Sequence, residues 1–486
     1  MPRTTIRTED IADSEITTSK ILDGTIATGD MAVDPTNASN LSSGSVPSAQ
    51  LGNVDTAGLE DDIALLGFRV ASNGSLAKYN LVDQTIDDFQ DSSGIDDSAS
   101  TNESRDSSGK YYSGVSVTDD SPTGGTETTY GSTKVNTFLA DDDFVVTSSG
   151  NVDMLLIAGG GGGGDNGGGA GGAGGARVLT SIAVTAQTYA IDVGAGGANM
   201  TNGSNSTALG YTATGGGKGS SWNGAGSSGG SGGGGSGQDG GGGTSGGSGN
   251  SGGYTRSEGN SGGGGGHTPG SNAGGGGGGG AGGGGGTYSN PNGGAGGGGI
   301  ANAYRTGSNV VYAGGGGGGG FYGSNGATTG GGGVAPAAGD ANTGGGGGGG
   351  YHYGQAGTAG GSGIVVIKYA DDEFQSSAPA DLTLVSNSTT SQVAPTKGDI
   401  VLTYTNGAGS TTLGTDLTAE FSADNGSTWT SMTLGSEGTT GSHNIATAHD
   451  VSLTSTSGTS MRYRIKTLNQ SGSKTTRIQA VSLGWS

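Results

Sequence analysis

The chain contains no cysteine, which excludes disulfides, thiolate metal sites and a cysteine nucleophile. Charged residues make up only 12% of it and apolar residues 29%, so one large apolar core is not expected. No run approaches the roughly 18 apolar residues that mark a membrane-spanning helix. The opening residues, MPRTTIRTED, lack the apolar stretch of a secretory signal. This points to a protein made in a cytoplasm without a signal peptide. Positive charge is also scarce. The net charge is −22, and residues 1–153 hold 26 of the 41 acids but 8 of the 19 Lys/Arg. A chain of that sign does not grip nucleic acid through its phosphates. Its acids serve solubility and solvated faces.

What fills the space is glycine, 117 in 486 residues. The segment 159–363 holds 92 of them. Uninterrupted runs recur at 159–164, 262–266, 274–280, 282–286, 314–320 and 344–350. Such a block is either a flexible linker or an ordered bundle of polyglycine II helices. Those helices have three residues per turn, and their backbone groups are free to bond sideways. Ordering glycine costs roughly 1–2 kcal/mol per residue or more, and only a dense lateral lattice offsets that. The similar run lengths and the strand-like segments at both ends favour the lattice.

Between the runs sit Trp222, Tyr254, His267, Tyr288, Tyr304, Tyr312, Phe321, Tyr322, Tyr351, His352 and Tyr353. Rings of this kind offer flat, amphipathic contact area with little entropy to lose. On loops held by rods they are candidate receptor contacts. Equally, they would cap and pack the rod ends.

The N-terminal segment has a different period. Ile6, Ile11, Ile16, Ile21, Ile26, Met31, Leu41, Val46 and Leu51 fall every five residues, with Thr36 breaking the series. Five is neither helical nor simple strand spacing. A unit that cannot bury its own apolar residue needs stacked neighbours. Three chains around an axis, each giving one residue per layer, satisfy this. So does one chain coiled as a pentapeptide-type β-helix, while a disordered linker needs no burial at all.

Residues 59–70, LEDDIALLGFRV, read as a short amphipathic helix limited by Gly67 and by Asn73-Gly74. A polar connector follows, ending near Gly114. Strand signals then appear over 133–193, and GIVVIKYA at 363–370 is expected to return to the strand at 152–158. Beyond 371, seven short strand candidates with a tight-turn signal at Asp424-Asn425-Gly426 predict a β-sandwich.

The expected class is therefore all-β with irregular fibrous parts. The expected domains are a trimeric pentad-repeat shaft for virion attachment over 1–58 and a helix and connector over 59–122. A glycine-rich domain follows over 123–370, then a C-terminal β-sandwich over 371–486.

Glycine abundance produces empty motifs. Gly226-Ser227-Ser228-Gly229-Gly230 and Gly229-Gly230-Ser231-Gly232-Gly233 match the nucleophile-elbow pattern, but neither follows a strand nor opens a helix. His267, His352, His443 and His449 show no metal spacing. Asp141-Asp142-Asp143 reads as a solvated turn. No catalytic residue, metal site or cofactor is expected.

Several stretches resemble bacteriophage fibre proteins. SSGSVPSAQLGN (42–53) looks like the repeats of tail-fibre shafts. AKYNLVDQTIDDFQDSSGIDDSASTNESRDSSGKYYSG (77–114) is similar to a connector of marine-phage structural proteins. Residues 123–369 resemble a glycine-rich domain found in phage and environmental sequences, and the C-terminal strands look like a module appended to such fibres. The order is also similar to the polyglycine-helix adhesins at the long-tail-fibre tips of T-even-type phages, except that here strands follow the glycine block.

The resemblance implies a homotrimeric virion fibre in the phage tail. It would join other tail or baseplate proteins through its N-terminus and bind host-surface polysaccharide or outer-membrane protein, without catalysis or membrane insertion. The alternatives are a capsid-attached decoration fibre and a polysaccharide-depolymerising tail spike.

Overall fold

The computed structural model describes residues 56–76, 78–238, 242–268, 272–320, 329–351 and 354–486. The expected shaft series from Ile6 to Leu51 lies outside the described residues, as do Phe321, Tyr322, His352 and Tyr353. The described chain is nearly all β, 4% helical and 40% strand. No described helix is long and apolar enough to cross a membrane. The chain divides into two compact units, Met1–Gly114 with Asp381–Ser486, and Val115–Ala380.

In the first unit, one sheet runs in the order Tyr79–Leu81, Gln84–Asp87, Thr475–Trp485, Lys397–Ala408, His443–Ser452, Gly435–Thr440. A second runs Leu382–Val385, Ser460–Thr467, Leu417–Ser422, Thr430–Met432. Alternation along Lys397–Ala408 sets the layers. Ile400, Leu402 and Tyr404 enter one core with Leu384, Phe421, Tyr463 and Ile465 of the second sheet. Val401 faces the other way, toward Ala64, Phe68, Ile86, Ile445 and Ala480. The strand Thr475–Trp485 switches faces at a bulge. Thr403 pairs with Ala480 and Tyr404 with Ile478, which lets both Ile478 and Val481 reach the first core.

The polar stretch 77–114 does more than connect. It supplies the strands Tyr79–Leu81, Gln84–Asp87 and Glu103–Asp106. Of its apolar residues, Phe89, Ile95 and Tyr112 are buried in the first core and Ile86 in the second, while Leu81 and Val82 are exposed. Phe89 and Tyr112 meet edge to face with centroids 4.9 Å apart.

The helix α1 spans Thr56–Gly74 and does not stop at Gly67. The missing Cβ there is a close approach instead. An added Cβ would sit 2.3 Å from Ile86 Cδ1, and the Tyr79 hydroxyl donates to the Gly67 carbonyl at 2.9 Å.

The second unit is built on a five-stranded sheet ordered Thr126–Tyr130, Thr133–Phe138, Ile364–Ala370, Gly150–Ile157, Ala176–Val184. The return of the late strand is as expected: Ile364 pairs with Ile157 and Lys368 with Asp153, antiparallel. Both faces are covered. Met154, Leu156, Val365 and Ile367 pack with Phe144, Val146 and Ile191 on one side. Leu155, Ile157, Ile364 and Val366 pack with Tyr312, Ala313 and Ala173 on the other.

From the end of this sheet the glycine segments run out and back as extended rods. The amides of 159–164 show the bonding rule. Gly159 and Gly162 donate to Ser204 and Thr201, Gly160 and Gly163 to Gly361 and Thr358, Gly161 and Gly164 to Gly172 and Gly169, all at 2.8–3.0 Å. The partner changes with each residue and returns every third one. The carbonyls of the same run accept from three further segments: Gly216 and Gly219, Gly197 and Met200, Gly347 and Gly350. One rod therefore has six bonded neighbours, and its backbone is satisfied sideways at nearly every residue. The next segment repeats the rule. Gly169 and Gly172 donate to Ser220 and Gly217, Ala170 and Ala173 to Gly276 and Gly279, Gly171 and Gly174 to Gly347 and Gly344.

Candidate functional site

Each glycine segment that leaves the sheet turns at a far edge and comes back. Described turns at that edge are centred on Asp165-Asn166, Asn199-Met200, Ser221-Trp222, Tyr288–Asn292 and Val334–Ala337, and Tyr351 opens another. The alternate turns lie beside the sheet. Chain direction reverses with every segment, so successive punctuators fall at opposite ends.

The aromatic candidates divide accordingly. Trp222, His267, Tyr288 and Tyr351 belong to the far edge. Tyr254, Tyr304 and Tyr312 lie at the sheet end, where each has a structural partner. The Tyr254 hydroxyl donates to Thr212 O at 2.8 Å, and its ring lies 3.9 Å from the Arg177 guanidinium. Lys368 Nζ stands 4.5 Å from the Tyr304 ring. Tyr312 is 1% exposed and part of the core on the sheet face, so it is no surface contact. The pairing of Ile300–Asn302 with Val310–Tyr312 lays that ring on the sheet.

The far edge is cross-linked by side chains of its own turns. Asp165 Oδ1 accepts from Asn199 Nδ2 at 2.7 Å and from Gly357 N at 2.9 Å, while Ser221 Oγ accepts from Asp165 N at 2.8 Å. Asn166 Oδ1 accepts from Gly354 N at 2.7 Å. Four turns are thus tied to one carboxylate and its neighbours. Asp165→Ala is expected to cost about 1–2 kcal/mol through the two donors left behind. Hydrogen exchange should then speed up at 199–201 and 354–357 and nowhere in the sheet.

Rings pack directly on the glycine backbone. Tyr288 lies against Gly266 and Gly274, where an added Cβ would meet its ring carbons at 2.5 and 2.3 Å. Its hydroxyl donates to Asn290 Oδ1 at 3.2 Å, and burial raises its pKa above the ordinary phenol value. The Tyr351 hydroxyl donates to Ala335 O at 2.9 Å. These two are half-anchored, and His267 is half-buried on the strand Gly266–Thr268.

Beside exposed polar residues such as Asn223, Asn290 and Asn292, three large apolar side chains stand out into solvent: Met200 at 38%, Trp222 at 41% and Val334 at 42%. Met200 adjoins the Trp222 turn, with Ser221 Oγ 3.2 Å from its sulfur. Aromatic counting misses Met200 and Val334. Their signal is position, since each sits in a non-glycine break between two glycine-rich segments of this alternating series.

Residues 140–370 match the model of a glycine-rich domain family. The matched segment ends with the strand Ile364–Ala370, so it takes in three of the five sheet strands, Gly150–Ile157, Ala176–Val184 and Ile364–Ala370, together with the glycine segments between them. No curated protein and no solved structure matches the chain.

The expected turn at Asp141–Asp143 is instead the start of a strand, Asp142–Val146, which pairs with Gln187–Ile191, and its acids accept hydrogen bonds. Asp141 Oδ1 accepts from Val193 N at 2.7 Å and Asp142 Oδ2 from Gly125 N at 2.9 Å. In the first unit His449 lies between Glu60 Oε2 at 2.9 Å and Asp61 Oδ1 at 3.2 Å, both on α1, with Asp399 Oδ1 at 3.9 Å. Among the described residues Glu60, Asp399 and His449 are the single grouping with the donor types for a cation, and these contacts bring α1 against the strands Lys397–Ala408 and His443–Ser452.

Proposed function

We propose that the chain is a phage virion fibre that attaches to the host surface by non-catalytic binding, and that the far edge of its glycine lattice is the contact surface. One observation carries this reading. The three-residue bonding rule fixes a row of turns at one edge, and that edge exposes Met200, Trp222 and Val334. A rigid lattice of polyglycine II rods does no chemistry, but it holds apolar and aromatic groups in a set array. Preorganised contacts of this kind lose little entropy on binding. Host polysaccharide or an outer-membrane protein loop fits such a surface. Residues 1–58 join copies of the chain as a homotrimer and meet other tail or baseplate proteins. The C-terminal strands form a β-sandwich module.

The test is binding of the labelled full chain to whole bacterial cells across a strain panel, with Met200→Ser/Trp222→Ala as the variant. Both side chains are exposed, so the melting temperature should stay within about 1–2 °C. Binding should weaken tenfold or more, as truncation of a buried aromatic anchor does. Undiminished binding by a folded variant removes the edge from the contact surface.

A further inference from the structure

The helix Thr56–Gly74 has two apolar faces, and the fold uses one. Ala64, Phe68 and Ala71 are buried, and Ala64 and Phe68 pack on Ile86, Val401, Ile445 and Ala480. A surface helix ordinarily turns its largest apolar residues to the core. Here the large aliphatics point away. Leu59, Ile63, Leu66 and Val70 are 56%, 47%, 60% and 50% exposed. Their spacing of four, three and four is the repeat of a coiled-coil seam, with leucine at both d positions and a β-branched residue at both a positions. That arrangement suits identical parallel helices in register. Glu60 and Asp61 flank the buried face and hold His449 between them. This fixes the rotation of α1 and leaves the Leu59–Val70 stripe facing outward.

We propose that α1 is a parallel coiled-coil seam joining copies of this chain through Leu59, Ile63, Leu66 and Val70. The occupant is a second copy because of what enters the helix. Before Thr56, the five-residue series from Ile6 to Leu51 is apolar except at Thr36, a repeat that needs stacked neighbours. In sequence, α1 follows it closely. Four half-exposed aliphatic side chains cover far less than the roughly 800 Å² that a stable interface takes from each partner. The α1 seam is therefore one part of the contact between copies, and not the whole of it. This takes the shaft reading as its starting point, and host binding plays no part in it.

The chain's lack of cysteine makes the test clean. Leu66→Cys places one thiol at a d position, where parallel in-register helices bring equivalent residues into one layer. Ser72→Cys places one on the far side of the same helix. Under mild oxidation of the full chain, Leu66→Cys should cross-link nearly completely and Ser72→Cys at the level of random collision. Sedimentation of the native chain at about 10 μM should give a dimer or trimer. Ile63→Lys/Leu66→Lys should dissociate it or weaken self-association at least a hundredfold, with its circular dichroism unchanged. A native monomer overturns the proposal. So does an oligomer in which Leu66→Cys cross-links no better than Ser72→Cys, since its copies would then be joined elsewhere.

Discussion

Gly171→Ala is expected to destabilise the glycine-rich unit by about 3 kcal/mol or more, at the upper end of what overpacking costs in a well-packed interior. A Cβ at Gly171 would stand 1.9 Å from the carbonyl oxygen of Gly161. The obstacle is backbone, so no rotamer change relieves it. The rods must separate, and separation breaks bonds in both directions. Gly171 N donates to Gly347 O at 2.8 Å and Gly316 N donates to Gly171 O at 3.0 Å. Gly298→Ala is the matched control. There the nearest atom to an added Cβ is Thr329 Oγ1 at 3.7 Å, and φ is not positive. That substitution should be neutral or stabilise by up to about 1 kcal/mol, by narrowing the unfolded ensemble. Urea denaturation of both variants separates the two cases. A flexible linker would tolerate them equally. The native alanines follow the same logic: Ala170 and Ala173, one bonding period apart, are fully buried in places that hold a methyl group.

The second large effect is a pH dependence in the first unit. Asp87 ends the strand Gln84–Asp87, and burial pushes its pKa up from 3.8 to about 6, against the pull of the Phe89 amide and Lys78. Burial also brings Lys78 down from 10.5 to about 8. Asp87 faces the fully buried Tyr463, whose hydroxyl is raised well above its ordinary value by burial and by the charge on Asp87. The folded chain holds the Asp87 proton more tightly than the unfolded chain does. Its stabilising effect is therefore full below about pH 4 and is lost as pH rises through about 6. Lys78 acts in the opposite range. The folded chain holds that proton more weakly, so stability climbs again between about pH 8 and 10.5.

Between pH 6 and 8 both groups are charged, and stability passes through a trough. The Asp87 limb is worth at most about 3 kcal/mol. Asp96, beside Arg462, is held at about 2 by hydrogen bonds from Ser98 and Arg462, so its contribution is lost only below pH 4, outside this window. Asp87→Asn keeps an acceptor for the Phe89 amide, 2.9 Å away, and removes the titration. Urea midpoints of native chain and variant should diverge as pH is raised from 4 to 7, the native chain losing ground. Parallel profiles would show that Asp87 titrates at its ordinary value.

The strands were legible because their residues are β-branched and bounded by turn formers. The pairing of Ile364–Ala370 with Gly150–Ile157 followed from two apolar runs bracketing a block that had none. The sheet role of 77–114 was not legible. Phe89, Ile95 and Tyr112 are isolated among Asp and Ser and carry no period. Their environment is completed by residues nearly 300 or more positions away, as where Lys78 bonds Asn387 and Asp96 pairs with Arg462. Gly67 read as a helix stop because sequence shows the missing side chain but not Ile86 lying against it.

Within the glycine block the rods were legible from run length. The division of the rings between two ends was not, because a ring on either end sits in the same kind of punctuator. Segment parity supplies the missing signal. Met200 and Val334 then join Trp222 on one edge, while Tyr312 leaves the list for the core. The exposed stripe on α1 was hidden for a different reason. Leu59, Ile63, Leu66 and Val70 look in sequence like the face that meets the core, and only the burial of Ala64, Phe68 and Ala71 shows otherwise.

The glycine segments as a bonded lattice underlie both the proposed contact edge and the substitution effects, and amide hydrogen exchange of the full chain reads that lattice directly. The amides of Gly161, Gly171, Gly278 and Gly316 each donate to a neighbouring segment at 2.8–3.0 Å. They should exchange roughly a thousandfold or more slower than an unstructured glycine peptide, as opening free energies above about 4 kcal/mol require. Exchange of those amides at the free-peptide rate, beside a protected sheet at Gly150–Ile157, would contradict the lattice and return the block to a linker.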